Sequence, residues 1–385
     1  MNRNFRTPYV ENWTLGIQHA FSSKLSLDVS YVGNHGVKLP GVVDLNQPAL
    51  GSGWTPADIA AGVANTDGNE QLQRPYTLNG KFPYLGAVNY LSNFYGSTYH
   101  GLQTTLTARN YHGLDFVAGY TFAHAVDDLS SNWVAFLPKD SANPGLEHAS
   151  GDEDIRHRFT FSITYTLPEK KTKSQLLDGW QLNSIISLQS GQPWNVNDQT
   201  FDFSGTGELA DRWNFFGNPS DFKSQGPNGL PYFPGLSNQA CVTKASALDG
   251  TNPAKPYTTS LGLGGCYAHG SSILIPSAIG TFGTMGRNIF RDTGFRNVDF
   301  SVTKSFRFGE RVKAQFRAEM FNVFNHPEFA NPWGATSGYG QAAFADPSVP
   351  GQFGCGCATP DGASFNPVLG SGSNRAIQLG LKFIF

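Results

Sequence analysis

Residues 158–167 read Arg-Phe-Thr-Phe-Ser-Ile-Thr-Tyr-Thr-Leu, a strict alternation of polar and apolar side chains. Side chains of a β-strand point alternately to opposite faces, so this segment would have one polar and one apolar face. The apolar positions are Phe159, Phe161, Ile163, Tyr165 and Leu167, and the polar ones are Arg158, Thr160, Ser162, Thr164 and Thr166. The pattern predicts an amphipathic strand.

The same period-two pattern occurs at nine places along the chain. Eight of the stretches form four hairpins, and the ninth ends the sequence. In the fourth hairpin the apolar residues alternate with a strongly polar set, Arg311, Lys313, Gln315, Arg317 and Glu319. The predicted strands lie near residues 12–21, 25–34, 99–109, 114–124, 156–167, 180–190, 294–308, 311–325 and 375–385.

Composition and charge narrow the class of protein. Only 15% of the 385 residues are charged and 13% are aromatic, whereas soluble domains average about 25% charged residues. The formal net charge of −2 argues against nucleic acid as a partner. No apolar run is long enough for a transmembrane helix, and mean hydropathy is −0.30. A search for long apolar runs does not detect β-barrels, because their strands alternate apolar and polar residues. Residues 1–20 do not resemble a secretory signal.

Long connections alternate with short ones. Residues 36–98, 125–155, 190–293 and 326–374 are long segments rich in Gly, Pro, Asn and Ser, and such loops are uncommon inside a compact soluble domain. Outer-membrane barrels have short periplasmic turns and long outer loops. We therefore predict an all-β fold, an antiparallel up-and-down transmembrane β-barrel, with Phe385 at the periplasmic face. A soluble β-sandwich or propeller is the alternative.

The number of strands predicts an incomplete barrel. Nine is odd, and the first strand would run from outside to inside, whereas bacterial barrels have an even number of strands and both termini in the periplasm. A tenth strand could lie within a long loop, for example at Val88 to Phe94. The prediction is a partial barrel of about nine or ten strands from a larger one.

Several motifs resemble Oar-like TonB-dependent transporters. They are Tyr120-Thr-Phe-Ala-His124, Asp154-Ile-Arg-His-Arg-Phe159, Gly179-Trp-Gln-Leu-Asn183, Gly286-Arg-Asn288, Asn297-Val-Asp-Phe-Ser-Val-Thr-Lys304 and Glu319-Met-Phe-Asn-Val-Phe-Asn-His-Pro327. The final run, Ala376-Ile-Gln-Leu-Gly-Leu-Lys-Phe-Ile-Phe385, is similar to the signal that the barrel-assembly machinery recognises.

The resemblance implies a 22-stranded barrel, a plug domain and a TonB box. Residues 1–385 would be the C-terminal part of such a receptor, with plug and signal peptide absent. The implied partners are outer-membrane lipid, the barrel-assembly machinery, an unknown substrate, and the TonB complex only through a plug. The assembly signal would comprise Leu379, Leu381, Phe383 and Phe385.

Candidate chemistry is sparse. Asp127, Asp128, Asp152, Glu153 and Asp154 would either bind Ca²⁺ or form a solvated loop, and they lack EF-hand spacing. No HExxH, GxSxG or P-loop occurs, so we expect no enzyme activity, catalytic residue, metal or cofactor. The basic run at residues 156–158 is expected to contact acidic loop residues.

Cysteines and aromatics suggest how the loops are built. Cys241 and Cys266 would form a disulfide, and Cys355 with Cys357 is a less favoured pair because the ring is small. Zinc would require a different spacing. Aromatic residues of the loops would either pack the loops together or stack on a sugar or peptide ligand, and the candidates for ligand binding are Trp54, Trp194, Trp213 and Tyr232.

These observations favour a segment of an outer-membrane TonB-dependent receptor that binds a ligand and passes it across the membrane. The first alternative is a non-transporting outer-membrane protein that binds ligands at the surface. The second is a soluble glycan-binding β-sheet protein.

Overall fold

The protein is built on one large antiparallel sheet. A computed structural model describes residues 1–61, 67–130, 137–168, 175–208, 211–223, 228–251, 256–309, 312–329, 344–351, 353–356 and 374–385. The nine long strands are β1 (Tyr9–Ser22), β2 (Leu25–Asp44), β3 (Asn89–Tyr111), β4 (Leu114–Asp127), β5 (His157–Thr166), β6 (Trp180–Gln189), β7 (Phe295–Phe308), β8 (Val312–Phe321) and β9 (Ala376–Ile384).

Each long strand pairs with its neighbour in the chain, so the order across the sheet is β1 to β9. This is the up-and-down meander that the alternation predicts, and the all-β antiparallel fold class is confirmed. Each of the nine predicted stretches overlaps one of these strands. The eighth, predicted as 311–325, continues four residues past the end of β8 at Phe321, and its start at Arg311 lies outside the described residues. Within the described part of the chain the sheet is not closed, and β1 and β9 are its edges.

The strand register separates two chemically different faces. Phe161 lies opposite Ile186 and next to Ala118, while Ser162 lies opposite Ile185 and next to Val117. Because the period is two, most apolar residues of the strands fall on one face, with exceptions such as Ile185 and Val117. On β1 and β9 the residues of the apolar face are widely exposed, with Leu15 at 72% and Leu379 at 66%. The apolar face is therefore a continuous band that no other described part of the chain covers.

Strands β2 and β3 are longer than the sequence predicts. They contain 20 and 23 residues, whereas crossing a membrane needs about 9–11. The extensions pair Pro40 with Asn93 and Asp44 with Asn89 after register shifts near Leu39. Lys38 in this bulge has a φ of 57°. The bulge interrupts the alternation of apolar and polar residues, which explains why the sequence pattern predicted a loop at this position.

The segment considered for a tenth strand is the beginning of β3. Val88 to Phe94 lies just before and within the paired extension, because β3 begins at Asn89. It therefore adds length to an existing strand and adds none to the strand count.

The long connections fold together at one end of the sheet. They contain the helices α1 (Pro56–Ala61), α2 (Asp67–Gln73), α3 (Pro75–Leu78), α4 (Gln239–Thr251) and α5 (Tyr257–Gly264), and 3-10 turns at Pro144–Glu147 and Pro219–Phe222. Short strands occupy Ala149–Ser150, Pro193–Val196, Asn214–Phe216, Tyr232–Phe233, Cys266–His269, Ser272–Ile275, Phe290–Arg291 and Phe344–Ala345. No helix among the described residues is both long and apolar enough to cross a membrane.

We call the described parts of residues 45–88, 128–156, 190–294 and 344–356 the loop cap. Its interior holds the main hydrophobic core, in which Trp194, Trp213 and Phe290 are fully buried. Among the described residues, no second layer packs against the long sheet. The chain thus places its buried core outside the sheet, at the end where the long connections meet.

Candidate functional site: the loop cap and the polar face of the sheet

The four long connections interlock within the loop cap. The indole of Trp54, in the first connection, donates to the carbonyl of Asp202 in the third at 2.9 Å. The hydroxyl of Tyr267, also in the third, donates to the carbonyl of Pro347 in the fourth at 2.7 Å. These bonds join segments far apart in sequence, so the cap forms one body.

The tryptophans predicted to bind a ligand lie inside the loop cap. Trp54 is 7% exposed, and Trp194 and Trp213 are fully buried in the aromatic core. The ring of Trp194 contacts those of Phe290 and Phe353, and the ring of Trp213 contacts that of Tyr267. A role of these residues in ligand binding stays a prediction. Tyr232 is half-buried, and its ring centroid lies 5.3 Å from that of Tyr267. The aromatic residues pack the loops together because burying them is the cap's main source of apolar stabilisation.

Cys241 and Cys266 are joined by a disulfide, the pairing that the sequence predicts. The bond ties α4 to the short strand that begins at Cys266, and both cysteines are buried with Leu261 and Ile275. Cys355 is buried and disulfide-bonded, and Cys357 lies outside the described residues. Covalent closure suits a loop region whose apolar core is small.

Arg287 attaches the third connection to the ends of the strands. Its guanidinium forms ion pairs with Asp127, at the end of β4, and with Asp152 at 3.4 Å. It also donates to the carbonyl of Glu147 at 3.0 Å and to the hydroxyl of Ser130 at 2.9 Å. Arg287 is only 8% exposed, so this charge is held almost entirely by protein groups.

A second clamp centres on Asp154, which is buried. Its carboxylate pairs with Arg291 and, at 3.0 Å, with Arg156. The backbone amide of Ala125 and the imidazole of His124 also bond to it, at 2.8 and 3.2 Å. The expected contact between the basic run at residues 156–158 and acidic loop residues is present at Arg156.

Four carboxylates of the acidic cluster are therefore bound by protein groups and not simply solvated. Besides Asp127, Asp152 and Asp154, Asp128 accepts from the amide of Gly96 and from His148, each at 2.7 Å. Glu153 is exposed. In the described part of the chain no group of three or more His, Cys, Asp or Glu side chains suits a metal ion. The guanidinium groups of Arg156, Arg287 and Arg291 neutralise part of the charge of this cluster.

Further carboxyl groups are buried in the cap, and three of them that sequence reasoning missed have raised pKa values. Asp198 accepts from the indole of Trp213 at 2.7 Å, and burial raises its pKa to about 6. Burial and the nearby Asp44 raise the pKa of Glu208 to about 8. Burial also raises the pKa of Asp211 well above its ordinary value. Their spacing in residues 198–211 matches no motif, so no sequence signal marks them.

Two atoms of this set have no hydrogen-bond partner. They are Oε1 of Glu208 and Oδ1 of Asp211, whereas the other carboxylate oxygen of Asp211 accepts from the amide of Ser204 at 2.7 Å. A buried carboxyl group in this state favours its protonated, neutral form. The packing around these groups is therefore strongest while they are protonated and weakens as pH rises and they ionise.

The polar face of the sheet is the other candidate surface. Its side chains are mainly hydroxyl, amide and charged groups, including Gln18 and Asp28, which bond to each other at 2.6 Å across β1 and β2. Towards the short turns this face contains a recess of about 520 Å³. The recess is lined by Thr166, Gln175, Asp178, Gly179, Trp180, Gln181, Thr303, Ser305, Arg307, Lys313 and Gln315.

The predicted assembly signal lies on the opposite, apolar face. Leu379, Leu381 and Phe383 are 66%, 64% and 54% exposed, and Phe385 is 91% exposed. On the same face, the ammonium group of Lys304 turns towards the short connection and donates to the carbonyls of Gln175 and Asp178. A lysine on a lipid-facing strand is tolerated when its charge reaches the membrane edge in this way.

Comparison with solved structures finds similarity to two outer membrane proteins. Among solved structures, the outer membrane transporter YddB from Escherichia coli is similar over 84% of this chain and 30% of its own, with 8% identity and a TM-score of 0.35. FpvA of P. aeruginosa, solved with a heterologous pyoverdine and iron, is similar over 88% of this chain and 26% of its own, with 11% identity and a TM-score of 0.33. The chain thus spans less than a third of either structure.

No curated protein sequence matches the chain. The model of a protein family described as an outer membrane beta barrel domain matches residues 1–353. The match covers every long strand except β9. A membrane barrel has an apolar outer face and a polar inner face, which agrees with the two faces of this sheet. This chain belongs to the outer membrane β-barrel family and is a protein of the outer membrane.

Proposed function

We propose that this chain forms part of the wall of a TonB-dependent transporter of the Oar-like type. In this proposal the outer surface of the loop cap captures a ligand, and the polar face of the sheet lines the ligand's passage. One observation carries it: strand register places most of the polar and charged residues on the face opposite a continuous apolar band. A sheet of this kind separates lipid from a water-filled space.

The loop cap supports the outward end of the proposed path. Its hydrogen bonds, ion pairs and disulfide hold long connections in one rigid arrangement, and a rigid surface binds a ligand without a large cost in ordering. The motifs at residues 286–288 and 319–327 supply the resemblance to the Oar-like type.

Two sets of partners belong to the proposal. The barrel-assembly machinery would recognise the apolar side chains of β9, above all Phe383 and Phe385, and removing Phe385 should lower the amount of protein inserted in the outer membrane. The TonB complex would act through a plug domain. The alternative, a surface protein that binds without transporting, uses the same cap and needs no energy supply.

Uptake by whole cells tests the proposal. Cells with and without the gene would be given radiolabelled ferric chelates, oligosaccharides and oligopeptides, each with and without an uncoupler of the proton-motive force. We expect one class to accumulate only when the gene and the proton-motive force are both present. Gene-dependent binding at the surface with no energy-dependent accumulation would favour the non-transporting alternative.

A further inference from the structure

The first and third connections of the loop cap meet at residues 202–208. The backbone amide of Gly51 donates to the carbonyl of Ser204 at 2.8 Å, and the amide of Gly53 donates to the carbonyl of Gly205 at 3.0 Å. These bonds seat the loop of the third connection on the first connection. The side chains at this contact are therefore enclosed between two segments that are far apart in sequence.

Three acidic groups lie together at this contact. The carboxyl group of Glu208 is in hydrogen-bond contact with that of Asp44, the last residue of β2, and Asp202 is near enough to interact with it electrostatically. Glu208 is 3% exposed and Asp44 is 4% exposed, so little water screens their charges. Two buried carboxyl groups in contact repel each other when both are ionised, and a proton between them removes the repulsion.

The basic group at this contact is already engaged. Arg74 pairs with Asp44 at 2.8 Å, and it favours ionisation of Glu208 less than burial and Asp44 oppose it. A further acid lies beside it, because a Cβ at Gly207 would come within 2.7 Å of a carboxylate oxygen of Glu70 and 3.2 Å of the Arg74 guanidinium. One arginine thus faces several acids, and an ionised Glu208 adds to the excess of negative charge.

The second oxygen of Glu208 gives no relief. Its Oε1 atom is buried and has no hydrogen-bond partner, so no donor on that side stabilises a negative charge. Asp44, by contrast, accepts from the backbone amides of Asn46 and Val88 at 2.7 and 2.6 Å. The geometry therefore assigns the shared proton to Glu208, which donates it to the carboxylate of Asp44.

We propose that the contact between Asp44 and Glu208 is a proton-dependent latch that holds the first and third connections together in acid and releases them as pH rises. Burial raises the pKa of Glu208 from 4.5 to about 8. The contribution of this group to closure is therefore full below pH 4.5 and is lost as pH rises through about 8. The inference rests on the proposed function only for its consequence, that external pH changes the surface that captures a ligand.

Hydrogen exchange on both sides of the contact tests the latch. The purified whole protein in detergent micelles would be followed from pH 5 to 9, with EDTA present so that no divalent cation replaces the proton. Protection factors, which correct for the intrinsic effect of pH on exchange, would be obtained for residues 69–78 and 202–208. The variants are Glu208→Gln, whose amide can donate to Asp44 at any pH, and Glu208→Met, which is neutral and has no donor. The matched control is Glu153→Gln, which removes an exposed acid of the cap.

We expect protection in both segments of the unmodified protein to fall by up to about tenfold per pH unit between pH 5 and 8, and to level off above pH 8. Glu153→Gln should behave in the same way. Glu208→Gln should reduce this slope in both segments and keep the protection seen at pH 5. Glu208→Met should also reduce the slope, but with weaker protection at pH 5 because it forms no hydrogen bond with Asp44.

A slope that neither Glu208 variant reduces would overturn the inference. So would a slope confined to residues 202–208, because release of a latch must expose both of its sides. Recovery of protection at pH 8 when Ca²⁺ replaces EDTA, in the unmodified protein and not in Glu208→Gln, would show that these acids hold a cation and would contradict a proton latch. The assay contains no ligand, so a working latch in a protein that takes up nothing would contradict the proposed function alone. Energy-dependent uptake without a latch would contradict this inference alone.

Discussion

Replacing Arg287 with methionine should release the third connection of the loop cap from the strand ends. Arg287 holds the carboxylates of Asp127 and Asp152 and the carbonyl of Glu147. Methionine keeps an unbranched but shorter apolar side chain and removes the charge and every donor. The change therefore leaves two acidic groups near each other without a cation.

The magnitude follows from how much water reaches these groups. The side chains of Asp127 and Asp152 are 16% and 15% exposed, so the lost ion pairs are largely buried. Removing one partner of a buried ion pair costs about 3–5 kcal/mol. Burial already raises the pKa of Asp152, so this acid relieves part of the cost by taking up a proton. We expect about 3 kcal/mol, or roughly 150-fold more frequent opening of the cap.

Hydrogen exchange followed by mass spectrometry measures this opening. Amides in residues 137–156 and 275–294 should exchange faster in Arg287→Met, while those of β5 and β6 should not change. The control is Arg109→Met, which removes an exposed arginine at the short-turn end. Adding Asp152→Asn to Arg287→Met should recover part of the protection, because it removes one of the unpaired charges.

Two results would refute this reasoning. Exchange within twofold of the unmodified protein in both cap segments would show that the Arg287 ion pairs contribute little. Equal acceleration in the cap and in β5 and β6 would show that Arg287 supports the whole sheet and not the cap.

Three further predictions concern the cap and the two faces. The pKa of Glu208 rises from 4.5 to about 8 on folding. Its contribution to stability is therefore full below pH 4.5 and is lost as pH rises through about 8. Replacing Glu208 with glutamine should flatten this pH dependence, measured by hydrogen exchange in residues 198–208. Replacing Cys241 and Cys266 with serine should loosen α4 by about 3.5 kcal/mol, measured by protease cleavage, with no change in the sheet. Since no cysteine among the described residues is free, Ser162→Cys in outer membranes should react with a membrane-impermeant maleimide and Ile163→Cys should not, each compared with the unmodified protein. Equal labelling of both would contradict the assigned faces.

The local alternation of apolar and polar residues was sufficient to predict the sheet and its two faces. The stretch from Phe159 to Leu167 alternates without interruption, and it forms β5 with the apolar residues on the predicted face. The prediction failed where the backbone departs from a regular strand. Around Lys38 a bulge shifts the register, so the extended parts of β2 and β3 resembled loop.

The candidate site could not be predicted from local pattern. Trp54 and Trp194 resemble ligand-stacking residues in sequence, and only the packing of the connections against one another shows them to be buried. The acidic residues near Asp152 resembled a solvated or calcium-binding loop because Arg287 lies 135 residues away. Sequence composition does not record which distant charge neutralises which.

The alternation that begins at Arg158 determined by itself that this protein is an amphipathic sheet, because the side-chain period of a strand is a property of adjacent residues. Family membership then placed that sheet in the outer membrane. Tertiary structure decided the rest: the aromatic core of the loop cap and the arginine clamps. Each is formed by residues on different strands or connections, such as Trp54 and Asp202, 148 residues apart, and only the folded chain brings such pairs into contact.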